Sequence, residues 1–455
     1  MTTQESRRTT RVLRPEEDRP LGDVGARLRA GVGSWLKSPA LDFYALIVIG
    51  ALLVGVGLMM VLSSTAVLNI SRGESGFAGL LRQGTFAAAG LVLLVVAACL
   101  PPRFYHLAAW PLFFVGLALQ ALVHTPLGTD VGGNRNWIEI AGQTLQPSEF
   151  LKLALAVWLA ALLATKRPLL HRPGQLLFPL VPGVLAALGL VIWGRDLGTT
   201  LVMSLLVAGA LWVAGVPRRW FALGGLLGVV GVVALTVSSG NRMSRIDCWL
   251  HGECVGGTGY QSEQGLMGLA EGGWWGVGPG ESRQKWGRLP AAENDYIFAV
   301  LGEEFGLVGT LGVLFLFAML ALVLSRMITR TDDVFRQIAI AGIASWLLGQ
   351  AFVNMMVVTG LMPVIGVPLP FISSGGSALL ASMLALGVLL SFARTEPGAR
   401  EAITARMGAV RSSVSVLPAP RDGSTGDPRR SRRSRRSGAA KQARRTAGGT
   451  ARGRR

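Results

Sequence analysis

Four short polar stretches of this 455-residue sequence place ionisable side chains beside its long apolar runs in patterns that could form a site. The most acidic is Glu293-Asn294-Asp295-Tyr296, which leads directly into Ile297-Phe298-Ala299-Val300-Leu301 and then Gly302-Glu303-Glu304-Phe305-Gly306. A carboxylate at the mouth of an apolar helix can serve as a general base, or can simply complement the positive pole of that helix. On a helix Glu303 lies about 80° round from Asp295 and roughly 12 Å deeper, while Glu304 points nearly the opposite way. At most one of the two glutamates is therefore expected to share a cavity with Asp295. Just upstream lies Lys285-Trp286-Gly287-Arg288-Leu289-Pro290.

The other three stretches carry weaker chemistry individually. Gly132-Gly133-Asn134-Arg135-Asn136-Trp137-Ile138 is followed by Gln146-Pro147-Ser148-Glu149-Phe150-Leu151-Lys152. Pro147 and Ser148 suit the start of a helix, and Glu149 and Lys152, three apart on one face, can neutralise each other as a structural ion pair or face a substrate. Arg195-Asp196-Leu197-Gly198-Thr199-Thr200 reads as a tight turn, either a helix cap with its counter-ion or a site where Arg195 meets an anion. In Pro363-Val364-Ile365-Gly366-Val367-Pro368-Leu369-Pro370-Phe371-Ile372-Ser373-Ser374-Gly375-Gly376-Ser377, three prolines prevent a continuous helix. Irregular backbone at membrane depth is tolerated only against protein or a wet cavity. Ser373, Ser374, Gly375 and Gly376 could offer backbone N–H groups to an anion, and a simple tight turn is equally allowed.

Ionisable groups near membrane spans are costly, which marks all four places as polar cavity, ion path or site. There is no Walker loop, no HExxH and no Cys/His ligand cluster; His106, His124, His171 and His251 are scattered. ATP hydrolysis and structural zinc are not indicated. Cys99 sits in an apolar run as a small packing residue, whereas Cys248 and Cys254 can form a small bridge if their loop faces an oxidising compartment.

The elements that must hold these residues are read from hydropathy. Of the residues, 51% are hydrophobic and 15% charged, with apolar runs of spanning length. We expect an all-α polytopic membrane protein of about ten transmembrane helices, at 44–64, 80–100, 104–124, 148–164, 176–194, 198–216, 219–238, 296–325, 335–359 and 375–394. Arg103, Lys166, Arg167, Arg172, Arg218, Arg219, Arg326, Arg330 and Arg336 fall in connections on one side. The positive-inside rule then puts both termini in the cytoplasm and a long loop, 240–294, outside between helices seven and eight. The first 40 residues are polar and basic, with no cleavable signal peptide, so the first apolar run is expected to stay in the membrane. Within that arm Val24, Leu28, Val32 and Trp35 recur at helical spacing, as a short interfacial helix or a linker.

The net charge of +18 lies mostly in the tail after Pro397, rich in Arg, Ser, Gly and Ala, which has too few large apolar residues to fold alone. Anionic lipids or an acidic cytoplasmic protein suit it as partners better than nucleic acid. The domain reading is therefore 1–40 arm, 41–396 membrane domain and 397–455 disordered tail.

At the four stretches, and at Gly276-Val277-Gly278, the sequence resembles the SEDS family (shape, elongation, division and sporulation) of FtsW/RodA type, most closely its division members. The matches are Asn134 to Ile138, Gln146 to Lys152, Asp196 to Thr199, Asn294 to Gly306 and Pro368 to Ser377, in the family's order over residues 44–394. The long cytoplasmic extensions, which could reach the cytoskeletal ring, favour a division role at the septum over elongation. The resemblance implies a ten-helix fold at the cytoplasmic membrane. It also implies transfer of a growing glycan from undecaprenyl pyrophosphate onto lipid II, beside a class B penicillin-binding protein and other division proteins. Asp295 aligns with the acid that the family treats as catalytic, a general base on the acceptor 4-hydroxyl giving a β-linked product. Arg135, Arg195, Lys285 and Arg288 are candidates to stabilise the leaving pyrophosphate, and Glu149, Lys152, Asp196 and Glu303 are further candidates for substrate binding. A divalent cation, Mg or Mn, could share that role, although no ligand set announces one. The rival readings are a lipid II flippase, an elongation-type polymerase, and a scaffold whose tail recruits division proteins. The stretch Asp247 to Cys254 is not part of the matched pattern.

Overall fold

A computed structural model describes residues 40–131, 134–140, 142–167, 173–238, 240–251, 259–396, 398, 399 and 401. The basic arm with its proposed interfacial helix, His171 and Arg172, Cys254 and nearly all of the tail lie outside the described residues. In chain order come α1 (Ala40–Ser71), α2 (Ala78–Cys99) and α3 (Pro102–Leu122), then β1 (Gly128–Val131), β2 (Asn134–Ile140) and β3 (Gln143–Leu145). Next are α4 (Pro147–Lys166), α5 (Pro173–Trp193), α6 (Leu197–Ala214), α7 (Arg218–Val237), α8 (Gly240–His251) and α9 (Tyr260–Gly272). The last three are α10 (Ile297–Arg330), α11 (Val334–Val358) and α12 (Gly376–Arg394).

Among the described residues, nine helices are long and apolar enough to cross a membrane: α1 to α4, α6, α7 and α10 to α12. The expected fifth span is α5, whose apolar part is the shorter stretch Phe178–Trp193. Phe178 leaves helical geometry (φ −107°, ψ 124°) because the ring of Pro179 crowds the residue before it, and Pro182 removes a second backbone donor.

Local signals set the helix ends. Proline opens α3 and α4 at the first turn, where the missing N–H costs nothing. Asp196 caps α6 and Asp333 caps α11, each carboxylate accepting a first-turn N–H. α4, α11 and α12 are buried over most of their length, whereas α7 turns nearly its whole surface outward. Small residues allow the close approaches. A Cβ on Gly387 of α12 would strike the Leu94 carbonyl of α2, and one on Gly209 of α6 would strike Ser345 Oγ of α11.

The sheet is an addition to the all-helical reading. β1, β2 and β3 pair antiparallel, with Gly128 opposite Ile138 and Ile138 opposite Leu145, and the sheet leads into α4. The loop expected at 240–294 likewise contains α8 and α9, and α9 packs along α10.

α1 and α10 have 32 and 34 residues, about 48 and 51 Å of helix, more than the ~30 Å of a hydrocarbon core. α10 is broken at Gly306 (φ 64°, ψ −160°). There the loop after α9 supplies the missing partners. Val277 N–H donates to Glu303 O (2.9 Å) and Gly278 N–H to Glu304 O (3.1 Å), while Leu307 N–H donates to Gly273 O (2.8 Å) and Val308 N–H to Trp274 O (3.2 Å). Two polar ties also join α1 to α10. At one end Asp42, fully buried, meets Arg326 Nε (3.0 Å) and Arg330 Nη1 (3.1 Å); at the other Ser63 donates to Glu304 Oε1 (2.5 Å).

Candidate active site

Asp295 is half-buried on a turn just before α10. The turn is held by three consecutive main-chain carbonyls: Ser374 N–H donates to Glu293 O (2.8 Å), Ser373 Oγ to Asn294 O (2.7 Å), and Asn354 Nδ2 to Asp295 O (2.7 Å). The stretch before α12 and the end of α11 thus grip the segment that carries the acid. Gly366 is exposed with φ 77°, and a Cβ built there would lie 3.5 Å from Asp295 Oδ2, so this glycine leaves open space against the carboxylate. Among the described residues nothing hydrogen-bonds the Asp295 carboxylate. Burial pushes its pKa up to about 6, the negative charge of Asp196 and then that of Glu293 add to the rise, and Arg245 opposes it.

Asp196 lies in the same neighbourhood as the cap of α6. Its carboxylate accepts from Thr199 N–H (2.8 Å), Thr199 Oγ1 (2.7 Å) and Gln146 Nε2 (3.1 Å). Gly198, two residues on, packs against Ile365 and Val367 so closely that any Cβ would overlap them. Arg195 beside it is exposed, with φ 65°.

Glu149 and Lys152 form a buried ion pair of 2.9 Å. Lys152 Nζ also donates to Gln350 Oε1 (2.8 Å), which accepts from Trp346 Nε1 (2.9 Å) as well, and Gln350 Nε2 donates to Pro368 O (2.8 Å). The pair therefore roots the irregular segment 363–370 in the bundle.

Several predicted binders are occupied by structure. Arg135 donates to Val123 O (3.1 Å) and Thr125 O (2.8 Å), satisfying carbonyls at the end of α3. Lys285 is buried between Glu304 Oε1 (3.2 Å), Ser63 and the Gly280 carbonyl. Glu303 accepts from Ser282 Oγ (2.5 Å) and Arg283 N–H (2.6 Å), so it fixes the loop. The two glutamates point apart as the helical spacing requires, each to its own loop partner. The Ser373 and Ser374 N–H groups donate to Leu369 O (3.0 Å) and Glu293 O (2.8 Å), which leaves neither for an anion. Gly375 and Gly376 begin α12, with Gly376 tight against the Phe86 ring. Arg288 is exposed. Cys248 is disulfide-bonded and Cys99 is free; the expected partner, Cys254, is outside the described residues. Among the described residues no three His, Cys, Asp or Glu side chains gather as a metal-binding group.

Gln350, Asn354, Gly366 and Arg245 were not singled out from the sequence. Two amides four residues apart in an apolar helix are the signal that points to the first two, since buried amides in a membrane helix must find partners.

A bundle of spanning-length apolar helices that holds one half-buried acid on the turn before α10 is a polytopic membrane protein with a candidate acid site. The chain belongs to the FtsW/RodA/SpoVE family of cell cycle proteins, whose sequence model matches residues 44–397. It is 37% identical over 408 residues to the probable peptidoglycan glycosyltransferase FtsW of Mycobacterium tuberculosis, covering 89% of this chain and 78% of that one. It is 35% identical over 353 residues to stage V sporulation protein E of Bacillus subtilis, covering 77% and 96%. Among solved structures it is similar to a chain from a peptidoglycan synthase complex that coordinates polymerization and crosslinking (TM-score 0.63, 28% identity, 77% of this chain and 97% of that one). Rod shape determining protein RodA of Thermus thermophilus is similar too (TM-score 0.58, 27% identity, 78% and 97%).

Proposed function

We propose that this chain is a peptidoglycan glycosyltransferase that polymerises lipid II at the outer face of the cytoplasmic membrane, with Asp295 as general base. The observation that carries the assignment is a half-buried carboxylate, free of hydrogen bonds among the described residues, where the turn before α10 meets the irregular segment that leads into α12. Its pKa, pushed up to about 6, suits the role. A base works best with a pKa near the operating pH. Asp295 takes the proton from the acceptor 4-hydroxyl as that oxygen bonds to the donor's anomeric carbon. The anomeric carbon–oxygen bond to undecaprenyl pyrophosphate breaks on the opposite face, which inverts the centre and gives a β-linkage. Of the four predicted cations, Arg195 and Arg288 remain to meet the departing pyrophosphate, because Arg135 and Lys285 are bound to structure. Arg245, whose charge acts on Asp295, donates to Val364 O (3.3 Å). A Mg or Mn ion there would be held mainly by the pyrophosphate oxygens, and no step is assigned to one.

The name FtsW among the relatives supports a division role, and the synthase-complex neighbour supports a cross-linking partner. We further propose that the chain works at the septum, that both termini are cytoplasmic, as the basic connections argue, and that the partner is a class B penicillin-binding protein. Glycan-strand formation from purified lipid II, by protein co-purified with that transpeptidase, tests the assignment. Asp295→Asn at equal folded yield is expected to lose at least about a hundredfold in rate; polymer at the wild-type rate from the variant would remove Asp295 from the role.

A further inference from the structure

We infer that Asn354, with Gln350 one turn before it, is a positioning residue that sets the Asp295 carboxylate over Gly366. The inference rests on Asp295 acting as the base. α11 is apolar through its outer half, yet it buries these two amides four residues apart, on one face of the helix. Facing them is the stretch Val367-Pro368, where proline removes a donor and the irregular backbone has no ladder of its own. Its carbonyls must be satisfied by side chains, since a buried unpaired carbonyl is costly at membrane depth. Gln350 Nε2 takes Pro368 O (2.8 Å), and Asn354 Nδ2 takes Val367 O (2.7 Å) and Asp295 O (2.7 Å) together.

One nitrogen therefore ties the strand bearing Gly366 to the turn bearing Asp295. Both amide hydrogens are spent on main-chain oxygens, which fixes the amide's orientation: flipped, it would set an oxygen against two carbonyls. Asn354 Oδ1 is buried with no partner among the described residues, so donation is what the side chain contributes there. Gln350 is itself held by Lys152 and Trp346, and the buried Glu149–Lys152 pair thus reaches the acid through two amides rather than by touching substrate.

A residue that only stabilised the fold would change yield and melting temperature but leave surviving molecules with normal turnover. A positioning residue changes turnover itself, because a displacement of about 1 Å costs on the order of a hundredfold. The experiment uses the full chain co-purified with its transpeptidase partner, with lipid II as substrate. Asn354→Asp, which swaps the donor for an acceptor at constant size, and Asn354→Ser are compared with wild type at equal folded amount, judged by size exclusion and thermal melting. The expected result is a fall in kcat of about 30- to 100-fold with KM held within about threefold, and a shifted midpoint in the pH dependence of kcat. If Asn354→Asp does not fold, Asn354→Ser carries the same comparison.

Wild-type kcat and pH midpoint in a folded variant would overturn the inference, as would a rise in KM alone. Asp295→Asn run in parallel separates the two readings. If it is inactive while the Asn354 variants are normal, only the positioning role fails; if it is active, the base assignment fails and this role with it.

Discussion

A base must shed its proton before it can accept one, and at Asp295 that requirement ties turnover to pH. Burial and the charges of Asp196 and Glu293 raise the pKa to about 6, so the carboxylate is protonated and idle below that value and competent above it. The initial rate with lipid II is expected to climb through about pH 6 and level off by neutrality, measured from pH 5 to 8 in one buffer series. A rate flat across that range would show that no group of this pKa controls the step. The acid itself was legible in the sequence, because a carboxylate beside an apolar run is conspicuous. Its neighbours were legible only as charges. Arg135 and Lys285 looked available until the fold supplied the end of α3 and Glu304 as their partners. Asn354 and Gln350 carry no charge, and in sequence they look like occasional polar residues in a core.

At the scale of elements, apolar run length fixed the spans well, since it reflects the hydrocarbon thickness directly. What it missed depended on hydrogen bonds between distant segments. β1 and β3 are only four and three residues long, and β2 opens on three polar residues in a row, Asn134, Arg135 and Asn136, so no alternating pattern stands out and the pairing is visible only once folded. The break in α10 is the same kind of case. Gly306 adopts φ 64° and ψ −160°, a region that only glycine enters cheaply, and a Cβ there would lie 2.4 Å from Gly276 N. Gly306→Ala is therefore expected to cost about 2 kcal/mol or more and to undock the loop after α9. Thermal melting of the purified variant, with proteolysis of that loop as a second readout, checks it. An unchanged melting temperature and cleavage pattern would mean that α10 can straighten without loss.

For the molecule as a whole, the two ties between α1 and α10 fix a length. From Asp42 to Ser63, α1 covers about 31 Å, and the unbroken part of α10, from Leu307 to Arg326, covers about 29 Å in the other direction. Both lie close to the ~30 Å of a typical hydrocarbon layer. The paired helices act as a caliper with a polar jaw at each end and a gap set by covalent chain rather than by lipid. A thinner bilayer would leave apolar surface between the jaws in water, and a thicker one would draw the jaws into hydrocarbon; neither mismatch is free. Reconstituted into lipids of graded acyl length, the protein should melt highest near a 30 Å core and lower on both sides, and indifference to chain length would show that the caliper does not bear on the fold. With the caliper bearing on the fold, a cell that remodels its lipids would reset the stability of this enzyme without altering a single residue of it.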